Sequence, residues 1–156
     1  MTPEHRIRPA TPEEWEAILP LLQRMGGRGD EAARQRFARI TQSADHYLPV
    51  AVDDGYHIGY AWAQDYGPHL RSGDRTARLH DLFVLSIQRK RGIGTALFAA
   101  IRAWAEGRGV RYLEWQASQA AVPFYERLGY IGDPCPQPEY PFFEIEFPAD
   151  RSEPPH

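Results

Sequence analysis

Two stretches carry residues whose types and spacing could do chemistry. In Gln88-Arg89-Lys90-Arg91-Gly92-Ile93-Gly94-Thr95, two glycines let another molecule approach the main chain, and three adjacent cations supply positive potential. If a helix begins here, its first turn offers N–H groups with no intrahelical partner and a dipole that favours negative charge. The result is an anion site built from backbone, better suited to a pyrophosphate than to a single carboxylate. Upstream, His80 and Asp81 set two titratable side chains next to each other. Strand side chains alternate, so His80 and Asp81 are expected on opposite faces, and only one of them can meet a bound molecule.

The surrounding elements fix how these residues would be held. Leu79 to Leu85 is rich in aliphatic and aromatic residues and reads as a buried strand. From Gly92 onward, Ile93, Ala96, Leu97, Ala100, Ile101 and Trp104 repeat at the spacing of one helix face. A P-loop needs G-x-x-x-x-G-K-S/T, but Lys90 precedes both glycines. A dinucleotide fold needs G-x-G-x-x-G near its first strand, whereas Gly92-Ile93-Gly94 is followed by Leu97 and comes after more than half the chain. The pattern that remains is Gln/Arg-x-x-Gly-x-Gly/Ala, met by Arg89 to Gly94 after a strand ending Asp81-Leu82-Phe83-Val84. Those six residues alone also describe a basic turn before an ordinary amphipathic helix. A second motif follows, however. Ser118-Gln119-Ala120-Ala121-Val122-Pro123-Phe124-Tyr125-Glu126-Arg127-Leu128-Gly129-Tyr130 contains the pattern A-x-x-F-Y-E-K/R-L-G-F/Y on a short helix. In this order the two motifs resemble those of the GCN5-related N-acetyltransferases, the GNAT superfamily. The resemblance extends from about Arg6 to about Phe147, with motif-grade matches between Leu79 and Tyr130.

The resemblance implies an α/β (α+β) fold with a mixed, mostly antiparallel central sheet flanked by helices. It implies acetyl-CoA as acyl donor and direct transfer of the acetyl group to a primary amine, foremost of a small molecule such as a polyamine, an aminoglycoside or an amino acid. An amine on a protein, or a non-catalytic acyl-CoA-binding sensor or interaction module, are the alternatives. Phe83 and Val84 would present backbone groups to the pantetheine and thioester, with the Val84 N–H polarising the thioester oxygen. Arg89, Lys90, Arg91, Gly92, Ile93, Gly94 and Thr95 would hold the pyrophosphate. Ser118 sits where relatives often carry an asparagine touching the cofactor arm; a serine can cap the helix and make one hydrogen bond but lacks the amide's paired donor and acceptor. Many members of the superfamily dimerise through their late strands, so a homodimer is a fair expectation.

Acetyl transfer needs a neutral amine, and an amine with a lysine-like pKa near 10.4 is held back by roughly 4–5 kcal/mol at pH 7 unless a base helps. The base position of polyamine-type relatives, whose strand reads E-D-I/L-F/Y-V, falls on His80. Histidine departs from that pattern, yet an ordinary pKa of about 6.5 suits a base near neutrality. A half-buried strand histidine bonded to the backbone is the competing reading, and Asp81 or a water chain are the other candidates. Tyr125 matches the family tyrosine that serves as general acid to the departing thiolate; packing beside Phe124 competes with that role.

At 156 residues with 42% hydrophobic content the chain is expected to form one domain over residues 1–156, with an ordered core over about 6–147 and a flexible tail over 148–156. It shows no long apolar run and no basic-then-apolar leader, and Cys135 is its single cysteine. These features point to the cytoplasm, without a membrane span or internal disulfides. A net charge of −3 argues against general nucleic-acid binding. The basic residues Arg71, Arg75, Arg78, Arg89, Lys90 and Arg91 are local to the loop, which suits the charges of coenzyme A or a solvated surface. His46, His57 and His69 lack short metal-ligand spacing and Cys135 lacks C-x-x-C partners, so no metal is expected.

The order read from the sequence is β-α-α-β-β-β-α-β-α-β-β. His5–Ala10 reads as a strand, and Thr11-Pro12-Glu13-Glu14 as a helix start with a capping box. Trp15, Ile18, Leu19 and Leu22 form that helix's apolar face, and Asp30 caps a second helix. In relatives the segment joining these helices commonly lines the acceptor site, so Asp30 and Glu31 are candidates for substrate contact, with capping and solvation competing. Asp53-Asp54-Gly55 predicts a hairpin, Asp65–Thr76 a loop, Val110–Ala117 a strand, and a final pair is expected around Tyr130 and Phe142–Phe147. Trp15, Trp62, Tyr66 and Tyr140 could line an aromatic acceptor pocket or serve as core.

Overall fold

A computed structural model describes residues 5–86, 89, 91–132, 143 and 145–148. The chain divides into two compact units, residues 1–117 and 118–156.

The first unit opens with β1 (His5–Pro9), a single 3₁₀ turn over Pro12–Glu14, and α1 (Trp15–Arg24). The capping residues act as their types dictate: Glu14 Oε1 accepts the Thr11 N–H at 3.3 Å. Glu14 does more than cap, since His57 Nε2 lies 2.7 Å from its other oxygen and Arg8 pairs with the first. The buried face of α1 is Trp15, Ile18 and Leu21, with Leu19 and Leu22 only partly covered at its margin. In α2 (Glu31–Gln42) the Asp30 carboxylate accepts the Ala33 N–H at 2.8 Å, and Glu31 pairs with Arg34 one turn on. Both acids flagged for substrate contact are therefore engaged by α2 itself.

β2 (His46–Tyr47), β3 (Pro49–Asp53), β4 (Tyr56–Pro68) and β5 (Arg75–Val84) follow. The expected strand over 47–52 is thus divided in two, and the loop expected from Asp65 is shorter because β4 runs on to Pro68. The hairpin turn is made by Asp54 and Gly55, both with positive φ (50° and 80°), the conformation that suits the twist of an antiparallel pair. The strand order is β1-β3-β4-β5-β6, with β2 also on β4 and β6 (Val110–Glu114) joining β5 in parallel. All other pairings are antiparallel.

Helices cover both faces of this sheet. Trp15, Ile18, Leu21 and Phe37 of α1 and α2 pack with Val50 and Tyr60 on one face. On the other, α3 (Ile93–Gly107) lies over Ala51, Ala61, Ala63 and Ala77, all fully buried, whose small side chains let a helix approach closely. Gly59 marks the tightest point: a Cβ there would stand 2.8 Å from the Phe83 carbonyl oxygen and 3.3 Å from a Leu97 methyl. Because the obstacle is backbone, Gly59→Ala should destabilise the fold by about 1–3 kcal/mol, read as a lowered midpoint in urea with an unchanged m-value.

The second unit contains α4 (Val122–Arg127). Residues 130–132, 143 and 145–148 are irregular, and the rest of the expected final strand pair, with Cys135 and Tyr140, lies outside the described residues.

Candidate active site

The register of β4 on β5 decides which side chains meet. Tyr60 pairs with Phe83 and Trp62 with Asp81, but Ala63 pairs with Leu79, so β5 carries one extra residue, His80, in a β-bulge. Tyr60, Trp62 and Gln64 alternate along β4 and share a face. Tyr60 Oη donates to Asp81 Oδ2 at 2.8 Å, and His80 Nε2 lies 3.1 Å from Gln64 Oε1. His80 and Asp81 therefore lie on the same face, not on opposite ones as regular alternation would have it. The bulge resets the alternation between them.

His80 sits in a nest of rings. Trp62 packs against it with centroids 4.2 Å apart, and Tyr66 meets it edge-on at 6.4 Å. Behind Trp62, the indole Nε1–H donates to His46 Nδ1 at 3.1 Å. Burial, with help from the Arg78 and His46 charges and against that of Asp81, holds the His80 imidazole below its ordinary pKa. Its neutral form is thus the resting one at pH 7, as a proton acceptor requires. Burial also lowers His46, opposed by Asp45. Asp81 is bound to a phenol whose own pKa is pushed well above the usual range by burial and by that carboxylate. Of the aromatic residues considered for an acceptor pocket, Trp62 and Tyr66 stand at His80, whereas Trp15 is core against Phe37.

Among the described residues no strand pairs with β5 beyond Arg78 on the side away from β4. β6 pairs with β5 only from Arg75↔Val110 to Arg78↔Glu114, while β5 continues to Val84. Leu85 N–H bonds Ile58 O at 2.9 Å. By the alternation of an antiparallel ladder, Tyr60 and Phe83 exchange bonds, whereas the N–H and C=O of Val84 and Leu82 point away from β4. Of the two residues expected to present main chain to a cofactor, Val84 has its N–H and C=O directed away from β4, whereas those of Phe83 are turned toward it, and the Phe83 ring lies 6.5 Å from that of Tyr60. The Val84 carbonyl accepts from Arg89 Nε at 3.1 Å, which ties the loop to the strand end.

Gly92 then takes φ 80°, the left-handed conformation that glycine adopts without strain, and α3 starts. The first intrahelical bond is Ala96 N–H to Gly92 O, so the N–H groups of Ile93, Gly94 and Thr95 precede the helical ladder, and Gly92 has no side chain to cap them. A helix start of this kind has the backbone geometry that an anion site needs. The cationic surround is thinner than the sequence suggests: Arg91 pairs with Asp53 at 3.2 Å, Arg75 with Asp65 at 2.9 Å, and Arg78 faces Gln116 and Glu114. Lys90 and Gln88 lie outside the described residues.

In the second unit the Ser118 hydroxyl accepts the Ala121 N–H at 3.3 Å, a turn-capping role. Tyr125 is buried, its ring 5.0 Å from Phe124, and burial raises its phenol above the ordinary value. Among the described residues no cluster of three or more His, Cys, Asp or Glu could hold a metal ion, and no helix is long and apolar enough to cross a membrane. The sequence reading missed Tyr60, Gln64 and His46. The period-two alternation of β4 would have placed the first two on one face.

The sheet is antiparallel except for the β5–β6 pair, and α3 begins at Ile93 with no side-chain cap. The chain belongs to the acetyltransferase (GNAT) family, whose model matches residues 13–130. Solved structures agree on the fold. Glucosamine-6-phosphate N-acetyltransferase from Arabidopsis thaliana superposes with a TM-score of 0.75 at 19% identity, over 88% of this chain and 98% of that one. A ribosomal-protein-alanine N-acetyltransferase from Brucella melitensis biovar Abortus 2308 gives 0.71 at 20% identity, over 92% and 100%. An aminoglycoside N-acetyltransferase in complex with CoA gives 0.70 at 23% identity, over 95% of each chain. No curated protein sequence matches this chain.

Proposed function

We propose that this protein is an acetyl-CoA-dependent N-acetyltransferase that acts on a primary amine, foremost that of a small molecule. The observation that carries this reading is that β5 holds both an outward-facing Val84 main chain and, four residues earlier at a bulge, His80, whose imidazole is held below its ordinary pKa. The residues fit the cofactor: Val84 offers its N–H to an extended chain, its carbonyl being taken by Arg89 Nε, and Ile93, Gly94 and Thr95 offer N–H groups to phosphate oxygens. When bound, acetyl-CoA supplies an acetyl group already activated as a thioester. Val84 N–H donates to the thioester oxygen, where negative charge develops. His80 removes the proton from the incoming ammonium, and Trp62 and Tyr66 bound the space in which the amine lies. Tyr125 enters on its motif. Its raised pKa makes full proton release harder, which favours a hydrogen bond to the departing sulfur over complete transfer. By the same resemblance and cysteine usage, the enzyme works in the cytoplasm as a homodimer.

Free-thiol release from acetyl-CoA, measured over polyamines, aminoglycosides, amino acids and short peptides, tests the reading. Turnover on one small-amine class, reduced at least tenfold in Tyr125→Phe, is the expected result. Binding of acetyl-CoA with no thiol release from any amine would favour a sensor, and turnover on peptides alone a protein acceptor. Because His80 is held low, the acidic limb of kcat/KM should lie below pH 6.5, the region in which an unperturbed histidine already titrates. A limb above that value would move the base role away from His80.

A further inference from the structure

We infer that Gln64 is a positioning residue that sets the tautomer of His80, so that Nδ1 is the atom that receives the acceptor's proton. This rests on the reading of His80 as base. Gln64 Oε1 stands 3.1 Å from His80 Nε2, and a carbonyl oxygen can only accept. The bond therefore places the proton of the neutral imidazole on Nε2 and leaves the lone pair on Nδ1. The ring is also fixed against rotation, with the Trp62 face packed on it at 4.2 Å and Tyr66 at its edge. Trp62 is itself anchored, because an indole N–H only donates and His46 Nδ1 receives it at 3.1 Å. β4 thus supplies three successive same-face side chains, Trp62, Gln64 and Tyr66, that hold one histidine of β5. A base whose lone pair is held at one nitrogen needs no reorientation when the ammonium arrives, which is where a positioning residue gains its effect.

The groups that act electrostatically on His80 are few. Arg78 and His46 disfavour its protonation and Asp81 favours it, while Gln64 is neutral. Gln64→Glu keeps an acceptor opposite Nε2 and adds a negative charge, whereas Gln64→Leu removes the acceptor. Two measurements test the inference. The first is ¹⁵N–¹H correlation spectroscopy of histidine-labelled protein above pH 7. It should show His80 protonated at Nε2 in the wild type and a tautomer mixture in Gln64→Leu; a wild-type His80 protonated at Nδ1 overturns the inference whatever the activity. The second is kinetic. Gln64→Leu should lower kcat by about ten- to a hundredfold, part of the 10²–10⁴ that general-base catalysis supplies, with KM for acetyl-CoA unchanged. Gln64→Glu should keep most of kcat and move the acidic limb of kcat/KM to higher pH by about one unit, since an adjacent carboxylate favours the imidazolium. If His80→Ala is impaired and Gln64→Leu is not, the inference alone is overturned. If neither variant changes turnover, the base reading is overturned and the role of Gln64 in catalysis with it.

Discussion

Val84→Pro should lower kcat by about 10²–10³ while leaving the fold largely intact. The expectation combines two geometric facts about the same residue. The N–H of Val84 points away from β4, because Leu85 N–H bonds Ile58 O and the ladder alternates. Proline, which lacks that N–H, therefore breaks no bond in the sheet, and an outward-facing edge position is where strands tolerate it. What it removes is the donor proposed for the thioester oxygen, and loss of one such donor typically lowers kcat by about 10²–10³, or about 2.7–4 kcal/mol of barrier. Phe83→Pro is the matching control. Phe83 is turned toward β4 opposite Tyr60, so proline there deletes a ladder bond and should lower the melting temperature markedly. If Val84→Pro keeps full turnover, the oxygen is polarised by another group. If the two variants unfold alike, the outward direction of Val84 is wrong.

How far the sequence could have led to this point is clearest at three places. The loop from Arg89 to Gly94 was legible because its glycines and the helical period after Gly92 are local signals, and the left-handed Gly92 and the uncapped start of α3 are their direct consequence. The hairpin at Asp54-Gly55 was legible for the same reason, since the turn type demands those residues. The placing of His80 was not. Alternation is a property of an isolated regular strand, whereas a bulge is a property of a pairing, created by the offset of Ala63↔Leu79 against Trp62↔Asp81. No local pattern on β5 announces it, and the error propagates: it separates His80 from Asp81 and hides Tyr60 and Gln64 altogether. The cations are a related case. Nearness to the loop in sequence leaves both coenzyme A and a solvated surface open for Arg75, Arg78 and Arg91, whereas the pairing is three-dimensional: Arg75 meets Asp65 across β4 and β5, Arg91 reaches Asp53 at the end of β3, and Arg78 faces β6.

The largest stability effect is expected at Asp65, far from any proposed chemistry. Its side chain is fully buried at the end of β4, where one oxygen lies 2.9 Å from Arg75 Nη1 and 2.7 Å from Arg108 Nε, and the other accepts the Gly67 N–H at 2.8 Å. Arg108 reaches on to Asp45 at 3.0 Å and stacks over Trp104, so one carboxylate joins β4, β5 and the C-terminal end of α3. Burial alone would raise the Asp65 carboxyl, but bonds from Arg108 and Gly67 and the charges of both arginines outweigh it and hold the group below its ordinary value. Asp65→Ala leaves two guanidinium groups without their shared partner and should destabilise the fold by about 3–5 kcal/mol at pH 7. The pH dependence supplies a second check with a definite sign. A carboxyl whose folded pKa is depressed contributes its stability above the unfolded value of about 3.9 and loses it as pH falls through the folded value. The gap in unfolding free energy between wild type and Asp65→Ala should therefore be full at pH 5–7 and narrow steadily below about pH 4. A gap that stays constant into strong acid would mean that Asp65 acts through packing and neutral hydrogen bonds, and that the two arginines contribute little as charges.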